Sequence, residues 1–163
     1  MKNHIINSFL TLIFLSSSVQ AADFFVYSSA QAPDYSTIQS AVNSASNNDN
    51  IYIDSTVFTE NVTIDKSLSF YPLNKGSRYT INGGLTLDFV NNTSIYIQGL
   101  DGAGISSTFN GSNSDSATII INDCYFTGVV DLNTNSSIHS FIYYSKFDAN
   151  VEFDHAELIG NDF

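Results

Sequence analysis

Apolar and polar residues alternate strictly over short stretches of this chain, and the same alternation returns at a nearly fixed interval. The segments VTID, LTLD, STFN, VDLN and VEFD begin at Val62, Leu85, Ser107, Val130 and Val151, at spacings of 23, 22, 23 and 21 residues. Successive side chains of a strand point to opposite faces. The first column of this alignment therefore faces inward, as does the third, made of Ile64, Leu87, Phe109, Leu132 and Phe153. Between them Thr63, Thr86, Thr108, Asp131 and Glu152 face outward. Asp65, Asp88, Asn110, Asn133 and Asp154 follow, residue types that tolerate left-handed backbone and close a turn through a side-chain hydrogen bond.

A second strand completes each unit: SLSFYP, SIYIQGL, ATIIIND, HSFIYYS and HAELIGN. The last three run on through a shared corner, IINDCYF, IYYSKF and LIGNDF, each closing on an aromatic residue, Phe126, Phe147 or Phe163. Connections such as NGSNSDS and NTNSS are polar and are expected to loop outward. A unit of about 22 residues cannot bury its own apolar face and must stack on its neighbours. The leucine-rich repeat has a similar period, but its L-x-x-L-x-L-x-x-N pattern is missing, and an antiparallel sandwich would not need columns that repeat from unit to unit. The pattern predicts an all-β fold, a right-handed parallel β-helix of about five coils of about 22 residues.

One helical period precedes the coils. In DYSTIQSAVNSASNNDNIYI, Ile38, Ala41, Val42 and Ala45 share one helix face, with Ser36 or Asp34 placed to cap its start. Laid across the open end of the first coil, such a helix covers apolar side chains and an unpaired edge. Residues 22–50 are thus expected to form a cap strand and helix, 51–163 the coils, and 22–163 a single domain.

Ahead of them, Lys2 and His4 lead into FLTLIFL and the small-residue pattern Val19-Gln20-Ala21, which together predict a signal peptide over residues 1–21. An apolar core of about seven residues falls short of the roughly twenty that a spanning helix needs. The expected location is outside the cytoplasm, periplasmic or extracellular. Cleavage would leave four basic side chains against sixteen acidic ones, a formal charge of −12. Such a surface repels phosphate backbones and anionic lipid, so nucleic acid and membrane are poor partners. It also repels uronic-acid polymers unless a divalent cation bridges the two. Cys124 is the only cysteine, which excludes an intrachain disulfide, and its setting in IINDCYF is that of a small core residue.

DYSTIQSAVNSA and the block NIYIDSTVFTENVTI resemble the opening helix and first coil of the pectin lyase-like family of right-handed parallel β-helices, closest to the N-terminal part of pectin methylesterase-type proteins. The resemblance covers roughly residues 24–70. The family usually writes Pro-Gly before an aromatic-x-Glu-x-x-Ile run, whereas here Thr56 stands at the Gly and no Pro precedes it. It implies carbohydrate chemistry: an Asp pair with Gln and Arg in the esterases, an Arg or Lys base beside calcium-holding carboxylates in the lyases. Arg78 is the only arginine, Gln98 the sole glutamine after Gln39, and Lys146 the only basic residue beyond Arg78, so neither constellation is recognisable.

Among candidate sites, Asp131 above Glu152 would set two carboxylates about 5 Å apart on one outward face. Such a pair raises one pKa or binds a cation, calcium being the one to consider where no cofactor is otherwise called for; the plainer reading is two solvated acids. Retaining glycosidases use a similar separation, but in a sugar-shaped cleft that nothing here marks. Tyr125, Tyr143 and Tyr144 offer sugar-stacking faces if they point outward, and a packed corner if not. The threonine column invites comparison with ice-binding ladders, but acids interrupt it and β-propensity explains it. His139 and His155 lie in separate connections and read as surface residues.

Phe126 and Phe147 each lead, four residues on, to the next first strand, whereas Phe163 leads to none. The last coil is thus expected to be open: the front of a longer solenoid, a surface that stacks on its own copy or a partner, or a short self-closed coil. Two functions follow as expectations. One is an exported non-catalytic module that binds polysaccharide or self-associates through its open C-terminal coil. The other is the truncated front of a carbohydrate-active enzyme, pectin methylesterase-like or polysaccharide lyase-like.

Overall fold

Alternating strands that cannot close a core alone are satisfied only by stacking, and stacking is what the chain does. A computed structural model describes residues 20–29, 34–89, 92–102, 104–109, 116–132, 138–153 and 155–163, the side chains of Thr108 and Phe109 excepted. Residues 1–19 of the signal expected over 1–21, the turn residues Asn110, Asn133 and Asp154, and most of NGSNSDS and NTNSS lie outside these residues.

The chain opens with β1 (Asp23–Val26), α1 (Ile38–Ser44) and β2 (Asp49–Ile53). Five rungs of three strands follow: β3 (Val57–Phe58), β4 (Val62–Ile64) and β5 (Leu68–Pro72); β6 (Tyr79–Ile81), β7 (Leu85–Phe89) and β8 (Ser94–Gln98); β9 (Leu100–Asp101), β10 (Ile105–Phe109) and β11 (Ala117–Asn122); β12 (Tyr125–Phe126), β13 (Val130–Leu132) and β14 (Ile138–Tyr143); β15 (Lys146–Phe147), β16 (Val151–Phe153) and β17 (Ala156–Ile159). Like strands of successive rungs pair in parallel, which makes two five-stranded sheets and one of seven strands in the order β1-β2-β5-β8-β11-β14-β17. The fold is a parallel β-solenoid of about four complete turns from first rung to last.

Inward residues form the expected ladders. Val62 pairs with Leu85 and Ile64 with Leu87, while Val130 and Leu132 pair with Val151 and Phe153. In the long sheet Ile51, Phe70, Ile97, Ile121, Ile142 and Leu158 follow one another across five pairings. Phe126, Phe147 and Phe163 stack at the corner, with ring centroids 5.3 and 5.2 Å apart.

One rung departs from the sequence alignment. Ile105, not Ser107, pairs with Leu85 and Val130, and Ser107 pairs with Leu87. The true spacings around it are 20 and 25 residues rather than 22 and 23, because the connection after β10 is the longer one. The slip is of two residues, so the inward and outward faces are preserved. Buried Ser107 satisfies its hydroxyl by donating to the Asp131 carbonyl at 3.3 Å. The outward column accordingly reads Thr63, Thr86, Ser106, Asp131, Glu152, and Thr108 stands beside Asp88. Asp88 is itself inside β7 and not in a turn.

Among the described residues Asp65 and Asp88 do not have positive φ, and left-handed corners follow the strands of the long sheet. Gly99, Asp123, Tyr144 and Gly160, each just after a strand of the long sheet, have φ of +68°, +52°, +50° and +66°. Close approach between rungs fixes another glycine: a Cβ on Gly83 would lie 1.8 Å from the Glu60 carbonyl oxygen.

The cap helix buries Ile38, Ala41 and Val42 as expected. Its N-cap is Thr37, whose hydroxyl accepts from the Ser40 N–H at 3.2 Å, not Ser36 or Asp34. Glu60 adds a cap from the first rung, one carboxylate oxygen accepting from the Ile38 N–H at 2.8 Å and the other from the Gln39 N–H at 3.0 Å. At the other end the Lys66 ammonium donates to the carbonyls of Val42 and Ala45 at 2.8 and 2.9 Å. The Gln39 amide meanwhile accepts from the Thr63 N–H at 2.7 Å and donates to the Thr63 carbonyl at 3.2 Å, covering the bare edge of β4. In this chain the Glu of the family-like block is thus a helix clamp.

Candidate functional site

The seven-stranded sheet has an unusual outer face. Its inward residues are mostly aliphatic and buried, so by alternation Tyr52, Tyr71 and Tyr96, each next in sequence to a buried inward residue, point out. Phe25, Tyr52 and Tyr71 stand in register, with centroids 5.5 Å apart at each step, and Tyr96 continues the run diagonally at 5.3 Å from Tyr71. Ile120 and Phe141 extend it along the column of Tyr96. All six are half-buried. Six spacings of about 4.8 Å make the face roughly 29 Å long.

Neutral polar groups border this run. The Asn122 amide donates to the Tyr96 hydroxyl at 3.2 Å, which in turn donates to the Gln98 amide oxygen at 3.4 Å. Burial, with the nearby Asp23 carboxylate and Tyr71 adding to it, raises the Tyr52 pKa, so its phenol stays a neutral donor. Beside Tyr52 and Tyr71 the 73–76 turn overhangs the sheet and encloses a groove of about 340 Å³ with Pro72, Leu73, Lys75 and Gln98 on its walls. Among the outward residues of β2, β5, β8, β11 and β14 there is no carboxylate, lysine or arginine; Asp23 and Glu157 mark the two ends.

Of the residues singled out from sequence, Tyr143 belongs to this face, in register with Asn122 and Ile159. Tyr144 turns the corner beside it, 67% exposed, its ring against the next rung where a Cβ on Gly160 would come within 2.8 Å. Asp131 and Glu152 are paired in register as expected, but on a different sheet, apart from the tyrosines. Sequence reasoning missed Tyr52, Tyr71 and Tyr96, although the apolar neighbours on either side of each were signal enough.

A second cluster was also missed. At the corner, Arg78 pairs with Asp123 and approaches Asp101 to 3.9 Å, and the Asp148 carboxylate takes the Tyr125 hydroxyl and the Lys146 ammonium, the latter at 3.2 Å. The hydrogen bond from Tyr125, then that from Lys146, holds the Asp148 pKa low, and the same contacts raise those of Tyr125 and Lys146. Arg78, Asp101, Tyr125 and Lys146 line an open groove of about 380 Å³. Each cation already faces a carboxylate, which leaves none poised as a base. Cys124 is buried and its thiol is pushed up to about 12 by that burial, so it stays protonated.

Compared with family models, with curated proteins and with solved structures, the chain matches none.

Proposed function

We propose that this chain is an exported, non-catalytic β-solenoid module that binds a neutral polysaccharide along the outer face of its seven-stranded sheet. The observation that carries this reading is the run from Phe25 through Tyr52, Tyr71 and Tyr96 on a solvent-facing sheet, where polar residues are the rule. A pyranose ring pairs apolar C–H faces with a rim of hydroxyls. Tyrosine edges, Pro72 and Leu73 suit the first, and the Gln98 and Asn122 amides with the phenols suit the second. A charge-poor stripe on so acidic a chain favours a neutral glycan over a polyuronate. The family resemblance also points to carbohydrate, but it rests on cap residues whose work here is structural.

Affinity electrophoresis and pull-down against cellulose, chitin, xylan and a soluble β-glucan, with polygalacturonate as the charged contrast, test the reading. Retention by a neutral glycan is expected, weakened at least tenfold by Tyr71→Ala or Tyr96→Ala. No retention by any neutral glycan, or retention indifferent to both changes, would sink it.

A second reading, self-association through the last coil, has its own support: β17 is an edge strand, and Leu158, Ile159 and Phe163 are 43%, 44% and 66% exposed. The enzyme alternative would draw on the Arg78 groove, and methanol or unsaturated products released from pectin would revive it.

A further inference from the structure

We infer that His139 and His155 form a binding site for a transition-metal dication of the zinc type, bridging the last two strands of the long sheet. The pairing of β14 with β17 sets Ser140 opposite Ala156, which brings the residues before them side by side. Both imidazoles are exposed on the outer face, with ring centroids 6.1 Å apart and planes 72° to one another. Two imidazoles bound to one zinc at about 2.1 Å put their centroids about 5 Å apart at a tetrahedral angle, so small rotations about exposed side-chain bonds close the gap.

The surroundings suit a cation. A groove of about 420 Å³ opens over the pair, lined also by Phe141 and by Glu157, whose carboxylate adds an oxygen donor or an outer-shell partner. Among the described residues no group of three or more His, Cys, Asp or Glu stands ready around one point, so water completes the coordination shell. Imidazole nitrogen selects zinc, copper or nickel; calcium and magnesium require oxygen. The bridge ties exposed β17 to the well-buried rung before it, and metal binding to the folded state alone raises stability.

Isothermal titration of the full chain with Zn²⁺ in a non-chelating buffer should show one site per chain, with His139→Ala and His155→Ala each weakening it at least tenfold. Ca²⁺ and Mg²⁺ should not compete at equal concentration. Zn²⁺ should also raise the melting temperature of the parent protein and leave that of the double variant unmoved. If either alanine variant unfolds by circular dichroism, His→Gln at that position gives the same comparison. Absence of Zn²⁺ binding, equal affinity in either single variant, or equal competition by Ca²⁺ overturns the proposal.

Discussion

Tyr144 occupies backbone that a bulky side chain seldom adopts, φ +50°, at a corner where its counterparts are Gly99, Asp123 and Gly160. Its ring uses the space that the missing Cβ of Gly160 leaves. Gly160→Ala must therefore bring a side chain into left-handed backbone and against the ring, and should cost about 1–3 kcal/mol in chemical denaturation. With Tyr144→Gly already in place the steric part disappears and the cost should fall to about 1 kcal/mol. Cys124 gives a pH test. Its thiol has an ordinary pKa near 9.0 and a folded one of about 12, so the unfolded chain gives up the proton first. The resulting stability is whole below pH 9 and is lost as pH climbs toward 12. Urea midpoints should consequently fall more steeply with alkaline pH in the parent than in Cys124→Ala. Buried Tyr79 is shifted upward chiefly by burial and further by the Cys124 thiolate, so the variant also loses that smaller share of the Tyr79 shift; both losses flatten the alkaline fall, and equal slopes would refute the assignment.

At the scale of elements, α1 depends on side chains distant in sequence. Its seven residues are too few to be stable alone, and Glu60 and Lys66 hold its two ends from the first rung. Glu60→Ala leaves two N–H groups without their acceptor and should cost about 1–2 kcal/mol, with Glu60→Gln, which keeps one acceptor, costing less. Loss of this helix uncovers the edge of β4, so Glu60→Ala should also speed amide exchange at Thr63, whose N–H the Gln39 amide holds. The helix, its buried face and the inward ladders were legible because each rests on a local period. The long-range cap was not, since no period links Glu60 to Ile38. Likewise the slip at β10 arose from assuming equal spacing: parity fixes which face a residue takes, but only hydrogen-bonded register fixes its neighbour. The aromatic face needed both at once, and that is why Tyr143 was found singly while Tyr52, Tyr71 and Tyr96 were passed over.

Across the whole molecule, charge and edge work against each other. Acidic residues exceed basic ones by eleven in the full sequence, and copies of so acidic a chain repel one another at long range. Yet the last rung presents β17 with every residue exposed, beside Phe163 stacked on Phe147. An isologous contact would pair two such strands about a two-fold axis and bury Leu158 and Ile159 of both copies. Apolar and main-chain contacts of this kind persist in salt, whereas the repulsion is screened within about 10 Å at 0.1 M ionic strength. Self-association should therefore strengthen as salt rises, opposite to the trend for a complex held by complementary charge. Sedimentation velocity at low and at about 0.3 M salt, over a wide concentration range, reads this directly. Dimers that grow with salt and vanish on Leu158→Asp or Ile159→Lys are expected. A single monomeric species at every concentration and salt would show that the exposed rung is no contact between copies.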